Sequence, residues 1–351
     1  MAAHDQGDPV TRPLRRLVAL GGGTGLPAVL AGLRRHLPRT CRITAVVTAA
    51  DDGGSSGILR RQYDVLPMGD IRHCLIALAQ VAPEVTAALE CRLSVSAGPE
   101  HALGNLLLTA LSMVAADEIA AIQLAASLLG IRDVILPSTT TRVTLVADLV
   151  DGRRVHGESA IPLSGATVLH LGIDPMDASP APGVIAALEA ADVIILGPGS
   201  FYTSVLATLI VPGIVPALLA SDAMKIFVCN LMTEPGETDK FGVAAHLDAL
   251  RAHGVPPETL DCVVVNDAPI PPRARVRYGA QGAEPVSPDC AVAGDGPAIV
   301  AADLLAPGPV VRHDHDKIGR LLCALATRDM VLPVVAARAN AIQSQSISLT
   351  D

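Results

Sequence analysis

The chain has 351 residues, half of them hydrophobic and 2% aromatic, and a formal net charge of −9. With no basic block, this balance argues against nucleic acid and anionic membrane as partners, so an anionic ligand has to be held by local groups. Three Tyr, three Phe and no Trp leave a core of Ala, Val, Leu and Ile, and the seven scattered cysteines suggest buried thiols rather than a disulfide framework or a zinc site.

Residues 1–13 form a charged lead without an apolar signal core, which points to a cytoplasmic protein. A strand over about Arg16–Leu20 runs into Gly21-Gly22-Gly23-Thr24-Gly25, and Leu26, Leu30, Leu33 and Leu37 then fall at helical spacing. A second strand over about Arg42–Thr48 completes a β-α-β start and implies a parallel sheet. Stacked glycines at a strand end offer backbone N–H groups to phosphate, so Gly22, Gly23, Thr24 and Gly25 are candidate ligand contacts. The loop lacks Gly-Lys-Ser/Thr and is no P-loop, but Gly23-x-Gly25-x-x-Ala28 fits a dinucleotide fingerprint and keeps NAD open as a ligand. The plain alternative is a tight turn without a ligand.

Asp51-Asp52-Gly53-Gly54-Ser55-Ser56-Gly57 follows the second strand. Asp51 and Asp52 could hold Mg²⁺, and Gly54, Ser55 and Ser56 could meet phosphate oxygens. The alternative is an Asx-type turn capping a helix over Ile58–Tyr63. A helical, Ala- and Leu-rich insertion follows over about 75–130, with His73 and His101 near the motifs as acid/base candidates. Alternation around Asp151-Gly152 then marks an antiparallel hairpin over about 142–161.

Short apolar runs at Val193–Leu196, Ile226–Cys229 and Val263–Val265 give three further parallel strands. Their carboxyl ends converge with the first two on one crevice. Gly197-Pro198-Gly199-Ser200-Phe201-Tyr202-Thr203-Ser204 gives a second anion site, with Gly199, Ser200 and Tyr202 as contacts. Phe201–Ala220 carries no charge, but Pro212, Gly213 and Pro216 interrupt it, so a buried segment is expected rather than a membrane span. Asn230 and Thr233 can read sugar hydroxyls or a base edge. Tyr278 and Tyr202 are the candidates for stacking on a base, and Arg60, Arg61, Arg72 or Arg312 for balancing a phosphate. Asp314 or Asp316 caps a helix over Lys317–Leu325, and a polar tail fills 334–351.

The loops at 21–25, 51–57, Pro67–Arg72, Leu103-Gly104-Asn105-Leu106, 197–204 and 230–238, taken in order, resemble the gluconeogenesis factor family, the YvcK-type proteins. That family is related to the 2-phospho-L-lactate transferases, and the resemblance spans about Leu17 to Leu325. It implies a single α/β domain over 14–333 with a modified Rossmann-like, CofD-like parallel sheet. It also implies binding of UDP-sugars, UDP-N-acetylglucosamine above all, in support of cell-wall precursor supply and cell shape during gluconeogenic growth. Family residues for UDP-sugar binding fall on Tyr278 and Arg312, and the Leu103–Leu106 motif adds Asn105. The first loop and the Gly53–Ser56 pattern depart from the transferases.

A homo-oligomeric sensor that needs no cofactor follows, acting on an amino-sugar biosynthetic enzyme. The competing reading is a Mg²⁺-dependent transferase acting on a nucleotide-diphosphate-activated substrate. No catalytic nucleophile is assignable from the sequence.

Overall fold

The computed structural model describes residues 14–94, 99–289 and 296–327. The expected lead at 1–13 and tail at 334–351 lie outside the described residues. The strands are β1 (Arg16–Gly21), β2 (Arg42–Val47), β3 (Arg92–Ser94), β4 (Glu100–Ala102), β5 (Val134–Pro137), β6 (Thr144–Leu149), β7 (Arg154–His156), β8 (Val168–Asp174), β9 (Val193–Leu196), β10 (Met224–Val228), β11 (Cys262–Asn266) and β12 (Ala298–Ala302).

Seven of them form one parallel sheet in the order β12-β11-β10-β9-β1-β2-β5. All four residues of β9 are buried, as are all but the first of β1 and β10, because helices cover both faces of a parallel sheet. The chain fills one side outward from β1, then returns to β9 and fills the other. That places the reversal of strand order between β1 and β9, where ligand crevices form in this class of fold.

Five parallel strands were expected, and β5 and β12 are the two that sequence pattern did not reveal. Both are edge strands: only two of the five β12 residues are buried, and β5 ends in Pro137, which is tolerated because β5 has a neighbour on one side only. The expected hairpin is β6–β7, closed by the Asp151-Gly152 turn, in which Gly152 N donates to Leu149 O at 3.0 Å. A third antiparallel strand, β8, joins it. Its burial follows no strict alternation, which hid it from a period-two reading.

The helices are α1 (Gly25–His36), α2 (Gly54–Tyr63), α3 (Gly69–Leu78), α4 (Pro83–Glu90), α5 (Leu103–Val114), α6 (Glu118–Leu128), α7 (Val184–Glu189), α8 (Ala207–Leu209), α9 (Ile214–Ala220), α10 (Val243–Ala252), α11 (Pro272–Gly279) and α12 (His315–Thr327). The helical insertion is α4–α6 with the small β3–β4 ribbon. Asp314 caps α12, its Oδ1 accepting from Asp316 N and Lys317 N at 2.9 Å.

Two cores result. One joins α1, α3 and α12 to the sheet through Leu26, Leu30, Ile71, Ile318 and Leu322. There α1 and α12 cross at two glycines: a Cβ on Gly319 would fall 2.2 Å from the Gly32 carbonyl carbon. The other core seats α7, α9, α10 and the antiparallel sheet through Leu145, Val184, Leu218 and Leu250. A π-helical segment, Phe201–Leu206, runs into α8 and bends by 73° into α9, so the charge-free stretch packs in this core. No single helix among the described residues is long and apolar enough to cross a membrane.

Candidate functional site

At the reversal point the two glycine loops touch backbone to backbone. A Cβ on Gly25 would lie 2.6 Å from the Pro198 carbonyl carbon, and one on Gly199 would lie 2.7 Å from Gly22 O. These glycines therefore first permit close approach of two chain segments. Just beyond the contact, α1 begins with no side-chain cap and no acidic residue in its first turn. Leu26 N donates to Gly22 O at 3.5 Å and Pro27 has no N–H, so Gly25 N and the positive end of the dipole are what this helix end offers a ligand.

They border a cleft of about 500 Å³. Eight of the sequence-predicted residues line it: Thr24, Gly25, Gly199, Ser200, Asn230, Thr233, Tyr278 and Arg312. Residues up to 288 positions apart are thus brought together by β1, β9, β10, α11 and the loop before α12. Thr233 makes the junction, its N donating to Glu284 O at 2.7 Å and its Oγ1 accepting from Glu284 N at 2.9 Å. Tyr278 is half-buried, its hydroxyl accepting from Val311 N at 3.2 Å, with the Arg277 guanidinium 5.0 Å from its ring centroid. Arg312 is exposed and has no ion pair or side-chain hydrogen bond among the described residues, so its charge is free for an anion. His313 beside it is buried with Nε2 unpartnered, and burial pushes its pKa down to about 4, so it stands neutral.

The other predicted contacts do not line this cleft. Gly23 N donates to Asp70 Oδ2 at 2.7 Å, and a Cβ on Gly22 would fall 2.5 Å from the same oxygen, so an internal carboxylate already occupies this part of the loop. Asp51 Oδ1 accepts from Gly53 N at 2.8 Å, while Ser56 also bonds its carboxyl. Asp52 turns away to Ser159, accepting from its N at 2.9 Å and its Oγ at 2.6 Å. Ser55 Oγ meets His101 Nδ1 at 2.9 Å and accepts from Asn105 Nδ2 at 3.2 Å, a buried lock between α2 and α5. Gly54 opens α2 in the left-handed region with open space around it.

The second anion site assigned to the 197–204 loop is corrected by the same principle. Glu234 accepts from Ser200 Oγ at 2.9 Å and Phe201 N at 3.0 Å, and Glu237 from Tyr202 N at 3.1 Å and Thr203 N at 3.2 Å. These carboxylates fill the N-terminus of the π-helical segment. Tyr202 is 2% exposed, its hydroxyl donating to Val168 O, and its ring lies among Phe201, Phe241 and His253 rather than against a base. Asn230 does reach the cleft, but its amide exchanges hydrogen bonds with Gly199, so it shapes the loop. Arg60 and Arg61 donate to carbonyls of Val143 and Asp52, and Arg72 is buried, bonded through Nη2 to His73 Nε2 at 2.6 Å.

The groups that sequence reading missed are the acids Glu158, Glu234 and Glu237, which join Asp51, a residue it did name. Burial and the neighbouring Asp51 and Asp52 raise Glu158 to about 8, burial first and the Asp70 charge among other causes raise Asp51, and burial and Glu234 raise Glu237 to about 7. An acidic flank thus abuts the first glycine loop, and Glu234 lines the cleft as well, its carboxyl held by Ser200, Phe201 and Asn230. Among the described residues no three His, Cys, Asp or Glu side chains converge to hold a metal ion, and Asp51 and Asp52 diverge. The only available signal was the i, i+3 spacing of Glu234 and Glu237 in a strand-end loop.

The family model described as 2-phospho-L-lactate transferase CofD matches residues 17–305. A protein named gluconeogenesis factor from Listeria monocytogenes is 38% identical over 323 residues, covering 90% of this chain and 96% of its own. Another of that name from Bacillus subtilis is 38% identical over 313 residues, covering 88% and 98%. A crystal structure of the Bacillus halodurans protein BH3568 superposes with a TM-score of 0.82 at 36% identity, covering 88% of this chain and 99% of that one. A second structure of that protein is described as a member of the UPF0052 family.

Proposed function

Since the chain belongs to the CofD family, among the gluconeogenesis factors, we propose that it is a regulator that binds a UDP-sugar, UDP-N-acetylglucosamine first, in the cleft beside α1. The observation that carries this reading is the convergence of an uncapped helix N-terminus, the unpaired Arg312 and Tyr278 on one cleft of about 500 Å³. The helix end and the guanidinium suit a diphosphate, and the tyrosine suits a uracil ring. Thr24, Gly25, Gly199, Ser200, Asn230 and Thr233 complete the wall. Ligand occupancy would set contact with an amino-sugar biosynthetic enzyme, and so cell-wall precursor supply and cell shape during gluconeogenic growth, provided two conformations differ in affinity.

Calorimetric titration with UDP-N-acetylglucosamine, with and without Mg²⁺, followed by mass spectrometry of the recovered ligand, tests it. Saturable binding of intact ligand, lost in Arg312→Ala and Tyr278→Ala, is the expected result. No binding by the unaltered chain, or equal binding by both variants, overturns it. Binding of NAD in competition with the UDP-sugar would move the ligand class to dinucleotides.

The acidic flank favours one second reading, a Mg²⁺-dependent transferase. After burial, the charges of Asp51, Asp52 and Asp70 raise Glu158 and those of Asp70 and Asp52 raise Asp51, a repulsion that a divalent cation would relieve. Bound there, Mg²⁺ would neutralise diphosphate charge. Cleaved ligand in the titration, with turnover lost in Asp52→Asn, would favour this reading over a sensor.

A further inference from the structure

At the amino ends of the central strands, opposite the cleft, three arginines gather. Arg15 precedes β1, Arg16 opens it and Arg42 opens β2, and the parallel register sets Arg16 directly beside Arg42. Like charges side by side on neighbouring strands repel. None of the three guanidiniums has an ion-pair or hydrogen-bond partner among the described residues. Asp192 fixes this corner through the backbone instead, accepting from Arg15 N at 2.8 Å and Arg16 N at 2.9 Å.

The three side chains line a cavity of about 870 Å³. At its base the sheet presents the half-buried Val134 over the buried Val18 and Leu136, and α6 and α7 wall it with the half-buried Ile119 and Ala187. The one acid on the lining, Asp117, is engaged in capping α6, accepting from Ala120 N at 2.8 Å. The volume is that of a site for a small molecule. Its chemistry is divided, with an apolar wall and a basic rim whose guanidiniums form no ion pair among the described residues, in a chain of net charge −9. The cavity lies at the amino ends of the strands and the UDP-sugar cleft at their carboxyl ends, roughly 20 Å away for strands of this length.

We propose that this cavity is a second binding site, for a small amphipathic anion whose phosphate- or carboxylate-type head is held by Arg16 and Arg42 and whose apolar body lies against the half-buried Val134, Ile119 and Ala187. The anion offsets the repulsion between the two guanidiniums, and the forked geometry of arginine suits either head. Burial of the body against that apolar wall supplies the remaining affinity.

The full chain is titrated calorimetrically with decyl phosphate, decanoate, decanol and inorganic phosphate, each below any micellar concentration. Decyl phosphate or decanoate is expected to saturate at one molecule per chain, and the tighter of the two assigns the head group. Decanol and inorganic phosphate should bind at least about ten-fold more weakly, as should the better anion to the R16Q/R42Q variant, for the loss of charge-assisted hydrogen bonds. Binding to Arg312→Ala should be unchanged, which separates this site from the cleft. Failure of both amphiphilic anions to bind, equal binding of decanol, or undiminished binding by R16Q/R42Q overturns the proposal. Thermal unfolding without ligand gives an independent check: R16Q/R42Q should melt no lower than the unaltered chain, and a lower midpoint would make these arginines structural.

Discussion

Replacing Glu237 by Gln should make the protein more stable at neutral pH and leave its stability at acid pH nearly unchanged. Glu237 is 5% exposed and accepts from Tyr202 N, Thr203 N and, at 3.0 Å, Thr203 Oγ1. Burial and then the adjacent Glu234 raise its pKa from 4.5 to about 7. Below 4.5 the carboxyl is protonated in the folded and unfolded chain alike, so its contribution is fully present. Between 4.5 and about 7 the unfolded chain ionises while the folded one holds its proton, and stability falls as pH rises. That displacement corresponds to roughly 3 kcal/mol. A Gln carbonyl oxygen can accept from both backbone N–H groups while its NH₂ donates to the Thr203 hydroxyl, so no hydrogen-bonding group is orphaned. Urea denaturation of both proteins at pH 4 and pH 8 should show the variant gaining stability, relative to the unaltered chain, between the two. A difference that stays constant across that range would refute the assignment of a buried, destabilised carboxylate at this helix end. Glu237→Ala should instead lose stability at both pH values, since two buried N–H groups lose their acceptor at about 1–3 kcal/mol each.

Removal of the Arg34 guanidinium leaves Asp133, whose side chain is 4% exposed, without the partner it holds at 3.1 Å, and Arg34→Ala should cost about 3–5 kcal/mol in chemical denaturation. Gly319→Ala forces a methyl group against the Gly32 backbone where α1 and α12 cross, and should cost at least about 1–3 kcal/mol, read as a lowered thermal midpoint. Tyr202→Phe removes one hydrogen bond to Val168 O and should cost about 1 kcal/mol. Because that ring lies outside the cleft, the same variant should bind UDP-N-acetylglucosamine like the unaltered chain in the titration where Tyr278→Ala fails.

Much of the fold was legible in order along the chain. The runs at Arg16–Gly21, Arg42–Val47 and Val193–Leu196 are apolar because a parallel strand is covered on both faces, and the glycines that follow mark its carboxyl end. The motif order also carried the family, and Tyr278 and Arg312 came from the family resemblance and do share one cleft. The edge strands β5 and β12 were not legible, because β12 is mostly Ala and only partly buried, and the proline that ends β5 argues against a strand unless its edge position is known.

What the sequence could not decide is which of the small-residue loops has hydrogen-bonding groups to spare. Gly23, Phe201, Tyr202 and Thr203 carry the N–H groups that the loop motifs assign to phosphate, yet each donates to a carboxylate 33 to 47 residues away, on Asp70, Glu234 or Glu237. Local sequence determines where donors are displayed, since glycine and chain direction set the backbone there. Whether a donor is free depends on every acceptor that packing brings within about 3 Å. That is a property of the assembled fold, and here it left the start of α1 and Arg312 open while closing the helix that follows β9.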